Sequence, residues 1–123
     1  MSLINKNVTR LSFNAFPNEA AMNDAKKYIE NRINAYFQTD SSDFCVRKIF
    51  GGVNSDWHGT PLQTLFDFYL NKYKSENKNN CCEKAKKQAA IDVGELMVVV
   101  LNEARENYIC TGYRNNTNWY NKK

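Results

Sequence analysis

The sequence predicts a mainly α-helical fold, a small bundle of three to four helices with a short extended segment at the N-terminus. Three observations carry this prediction. Apolar residues recur at three- and four-residue steps through long stretches. The pattern Thr60-Pro61-Leu62-Gln63 has the residue types of a helix start. Chain breakers are scarce, with 2 prolines and 5 glycines in 123 residues. A chain of this length is about one domain, here residues 1–123, and buries a core without help from disulfides or metal. Its 42% hydrophobic and 13% aromatic content excludes wholesale disorder.

Taken in order, Asn7 to Phe16 alternates at Thr9, Leu11 and Phe13, which suggests the extended segment. A helix over Asn18 to Gln38 follows, with Asn18 as cap, Glu19 in the first turn, and Met22, Ala25, Ile29, Ile33, Tyr36 and Phe37 on one stripe. Residues 42–50 admit two readings. Ser42 capping a short helix ended by Gly51 is the one taken, although Phe44, Val46, Lys48 and Phe50 also alternate like a strand. At Thr60 the expected capping box has Thr60 accepting from the Gln63 amide while the Gln63 side chain reaches back to Thr60. Leu62, Leu65, Phe66, Tyr69, Leu70 and Tyr73 then share a face. Lys74 to Asn80 reads as the loop between antiparallel helices. The last helix, capped by Asn80, carries Cys82, Ala85, Ala89, Val93, Leu96, Met97, Val100, Ala104 and Tyr108 on its stripe, to about Ile109. Val98 and Val99 make it apolar nearly all round, as in a helix at the centre of a bundle or one shared with another subunit. Residues 110–123 show no period and read as a tail, flexible or docked as a flap over the bundle.

The net charge of +4 fits weak attraction to anionic partners without requiring it. No basic start followed by an apolar run precedes Asn5, and the run Leu96 to Leu101 is too short to cross a bilayer. The expectation is a cytoplasmic chain with no membrane partner, in which Cys45, Cys81, Cys82 and Cys110 are reduced thiols.

Catalytic signals are poor. His58, the chain's 1 histidine, has Asp56 to orient it and Trp57 to shield it, and Cys45 would be its nucleophile if the fold joined them. The duller account, a loop histidine bonding nearby carbonyls, is preferred. Cys81 and Cys82 lack the two-residue spacing of zinc sites, so no metal is expected; Cys82 reads as a small core residue and Cys81 as exposed. Asp92, Glu95, Glu103 and Glu106 resemble the paired carboxylates of all-helical magnesium-dependent nucleotide hydrolases. One helix cannot surround an ion, however, and a solvated acidic face is the reading taken. Gly51-Gly52 has no following lysine, so no phosphate loop and no cofactor are expected.

Two binding readings remain, and they place the function outside catalysis. In the first, Val98 and Val99 lend a second apolar face to a protein partner or a second copy, making the chain a protein-interaction or self-associating domain. In the second, Arg114, Trp119, Tyr120 and Lys122, interleaved with Tyr113 and Lys123, stack on bases and neutralise phosphates of a nucleic acid. A small enzyme using His58 ranks third.

Overall fold

Asn18 opens the first helix. In the computed structural model, which describes residues 15–50, 57–104 and 106–123, its Oδ1 accepts the Ala21 amide at 2.8 Å. The expected extended segment lies, but for Ala15 and Phe16, outside these residues; those two are buried. Helix α1 spans Glu19–Thr39 and buries Ala25, Ile29 and Ile33, the middle of the predicted stripe.

The ambiguous stretch holds both of its readings. Phe44 forms a β-bridge with Tyr120, and Val46–Phe50 is helix α2. Ser42 is not the cap; its hydroxyl donates instead to Asp40 Oδ1 at 2.7 Å. Arg32 of α1 donates to the Ile49 carbonyl at 2.6 Å and lies over the Phe50 ring. A cation at a helix C-terminus satisfies an orphan carbonyl and complements the dipole.

Helix α3, Gln63–Ser75, begins two residues later than its capping box predicts, with Leu62 in place of Thr60 at the cap. The Thr60 hydroxyl donates to the Trp57 carbonyl at 2.7 Å, and Gln63 Oε1 accepts the Gly59 amide at 2.8 Å. The side chains thus tie down the preceding turn rather than each other. Asn77, in the left-handed region at φ 55°, ends α3 in a Schellman arrangement: the Lys78 amide donates to Tyr73 O at 3.0 Å and the Asn77 amide to Lys74 O at 3.1 Å.

Helix α4, Cys81–Glu103, is the central element and makes its broadest contact with α3. Asn80 starts it in the left-handed conformation without a side-chain cap bond, a departure from the capping expected of it. Val98 is buried with Leu96, Met97 and Leu101, so much of the all-round apolar character is spent inside the molecule. Cys82 is exposed, contrary to expectation, while Cys81 is half-buried and donates to the Lys78 carbonyl. Asp92 is not on a solvated face either. It is buried between α4 and α3, where the Tyr69 hydroxyl and Gln88 Nε2 donate to it.

The largest departure is at the C-terminal end. Helix α4 stops at Glu103, not near Ile109, and the expected patternless tail is a β-hairpin: β1 Tyr108–Arg114 and β2 Thr117–Lys122, antiparallel. Asn115 and Asn116, at φ 54° and 62°, make the two-residue turn whose twist suits such a pair. With that turn available, the aromatic and β-branched residues after Asn107 gain a ladder that helical continuation would forfeit. The register slips between Cys110 and Gly112, leaving Thr111 as a bulge. Gly112 there has φ 152°, and a Cβ would come within 3.2 Å of Arg114.

Asp43 fastens the hairpin to the segment before α2. Its carboxylate accepts from Asn121 and Thr111, each at 2.9 Å, and from Arg114 at 3.0 Å. The Asn121 and Thr111 hydrogen bonds, with Arg114 helping, hold its pKa below the ordinary value against the opposing effect of burial. Phe44 is fully buried at the centre of an aromatic cluster with Tyr36, Phe37, Tyr108 and Tyr120, where α1 and the hairpin meet.

Candidate docking groove

Between α2, α4 and the hairpin turn lies an open groove. Its larger part, about 410 Å³, has Val46, Phe50, Ala90, Ile91 and Val93 as apolar wall, with Trp57 at one side. A smaller part of about 210 Å³ continues along α4 past Gly94 to Val98 and Tyr120. Val46, Ile91 and Thr117 belong to both. Arg47 ties the hairpin turn to α2 by donating to the Asn115 carbonyl at 3.0 Å, which fixes the groove's far wall.

Ile91 is the telling residue. At 46% exposure it is one of two large hydrophobic side chains that are exposed among the described residues, the other being Tyr113 at 67%. It stands off the core stripe of α4 and faces the groove. Arg47 and Lys87, both exposed, flank it. The volume is in the range of small-ligand pockets, and the lining sets an apolar strip beside two cations, with the Thr117 hydroxyl and the Glu95 carboxylate toward the narrow end.

The residues singled out by sequence fall as follows. His58 is exposed in the turn before α3, and Cys45 is buried at the start of α2. Asp56 lies outside the described residues. Val98 is 6% exposed and Val99 half-buried; Val98 reaches the end of the groove, the one point where the expected apolar face and the observed one touch. Arg114 lies over the Trp119 ring at 4.8 Å, and Trp119 Nε1 donates to the Arg114 carbonyl at 3.1 Å. That contact occupies one face of the indole. Lys122 Nζ sits 4.7 Å from the Phe37 ring centre, and Tyr120 is in the core. No three metal-ligating side chains gather among the described residues, and no helix there is long and apolar enough to cross a membrane.

Sequence reasoning missed Ile91, Gly94, Arg47 and Lys87. A signal existed on α4: Lys87, Ile91, Gly94 and Val98 follow one another at helical steps on a face distinct from the core stripe. Arg47 had none, because its place depends on the hairpin turn. No protein family, curated protein or solved structure matches the chain.

Proposed function

We propose that this chain is a non-enzymatic interaction domain that holds a linear segment of another protein in the groove beside Ile91. The observation that carries the reading is an exposed isoleucine set in an open, mostly apolar groove with a cationic rim, the kind of feature that marks a binding surface. The face moves from Val98 and Val99 toward Ile91 because Val98 is buried within the chain itself. Four free thiols support a reducing, cytoplasmic setting.

The test is panning of a random peptide display library against the folded chain and against Ile91→Glu. Clones that bind the wild type and not the variant are expected. Absence of enrichment, or equal enrichment on both, overturns the reading.

Nucleic-acid binding is a second reading, favoured by the exposed Tyr113 ring on the strand that also carries Arg114. Anisotropy of labelled oligonucleotides across a salt series separates the two, since phosphate contacts give a steep log-log salt slope.

A further inference from the structure

The groove is polarised along α4. Arg47 and Lys87 stand at its wider end, Ile91 and Gly94 form the apolar base that leads to Val98, and the half-buried Glu95 lines the narrow end, so the positive charge is confined to the wide one. From Lys87 to Val98 is roughly 16 Å of helix, the reach of about five extended residues.

Two observations say what belongs there. Gly94 sits inside a helix, where glycine is less favourable than alanine by about 1 kcal/mol. Packing does not demand it: a Cβ would meet Val46 at 3.8 Å, ordinary contact. What a methyl group would take is room between α4 and Val46 on the groove's base. The second is charge. Neither Arg47 nor Lys87 meets a carboxylate among the described residues, and Arg47 uses one N–H on the Asn115 carbonyl, leaving most of its five donors for another acceptor.

On this basis, and resting on the interaction-domain reading, we infer that the groove takes an extended acidic, aliphatic segment of a partner protein. Its carboxylates meet Arg47 and Lys87, and an aliphatic side chain lies over Gly94 against Ile91. A second copy is the poorer occupant, because a two-fold brings two copies of one patch together and this patch carries two cations, Arg47 and Lys87, for a single carboxylate, Glu95. Nucleic acid is poorer too: the aromatic rings here, Phe50 and Trp57, are buried and offer no stacking platform of the kind exposed bases need.

The experiment is fluorescence anisotropy of the full chain with a short fluorescein-labelled peptide alternating leucine with glutamate. Its lysine counterpart and a labelled single-stranded oligonucleotide run beside it. The glutamate peptide binds, and the lysine peptide does not. Reversing both rim charges, Arg47→Glu with Lys87→Glu, weakens the glutamate peptide by about tenfold or more and admits the lysine peptide, with the helical circular dichroism unchanged. Gly94→Ala raises the melting temperature by a few degrees and weakens the peptide by about tenfold.

Equal binding of both peptides, or unchanged affinity in a stabilised Gly94→Ala, overturns the inference. Preference for the oligonucleotide overturns it in favour of nucleic acid. If no acidic peptide binds while panning still yields Ile91-dependent clones, the acidic assignment falls and the interaction domain stands; if both fail, both fall.

Discussion

Burial pushes the Tyr120 hydroxyl up to about 12, with the neighbouring Cys110 adding in the same direction, and burial raises Tyr108 as well. The neutral phenol is the form the fold prefers. Its contribution to stability is therefore fully present below about pH 10, the ordinary tyrosine value, and is lost as pH rises toward 12. In an alkaline absorbance titration, a phenol step near pH 12 is expected, and it should vanish in Tyr120→Phe. A late part of the curve that Tyr120→Phe leaves unchanged contradicts this. By residue type and neighbours, Tyr120 reads as one more ring on a basic tail; nothing local says that Phe44 is opposite. Asp92 misleads in the same manner, because helical periodicity places it on a side of α4 but not the Tyr69 hydroxyl across from it. At this scale sequence names what a side chain is able to do, and the partner across the fold decides which of those it does.

At the scale of elements, the helices were legible where periodicity and caps agree, as in α1, where Asn18 and the stripe through Ile33 point to the same bounds. The hairpin was not, because neither strand alternates cleanly: the bulge at Thr111 interrupts the two-residue repeat, and Tyr120 is buried while Trp119 and Asn121 are only half-buried. Its one local sign is Asn115-Asn116 between two runs containing aromatic and β-branched residues. The groove was legible on its α4 side alone, in the spacing of Lys87, Ile91, Gly94 and Val98, since the hairpin turn is its other wall. The two asparagines are the least costly non-glycine choice for positive φ. Asn116→Gly should leave the hairpin as stable or raise chain stability by up to about 1 kcal/mol, and Asn116→Val should lower it by about 1–2 kcal/mol. Urea denaturation of both variants checks the pair. An Asn116→Val variant as stable as the wild type would mean that the turn does not hold the hairpin.

Across the whole molecule, the C-terminal residues complete the core. The Phe44 and Tyr120 main chains exchange two hydrogen bonds at 2.8 Å, and Asp43 and Asn121, joined by another, are 78 residues apart in sequence. Deleting residues 112–123 therefore uncovers Phe44 and strips Asp43 of two of its three donors, Arg114 and Asn121. The truncated chain is expected to lose its cooperative thermal transition, read by near-ultraviolet circular dichroism. A sharp transition retained after truncation would show that the hairpin is an appendage to a self-sufficient bundle. The same truncation is a poor way to assign nucleic-acid binding to the basic residues near the C-terminus, since loss of binding would follow from loss of the fold.

The Phe44–Tyr120 bridge also sets the order of events while the chain is being made. A ribosome delivers residues N-terminus first, at about 5–20 per second, so the aromatic cluster around Phe44 waits several seconds for Tyr120 to emerge. During that interval α1 and α3 can coil locally, but the surface they share with the hairpin stays uncovered. The nascent chain is thus open to chaperones, and to its neighbours on the same messenger, until almost the last of these residues is released.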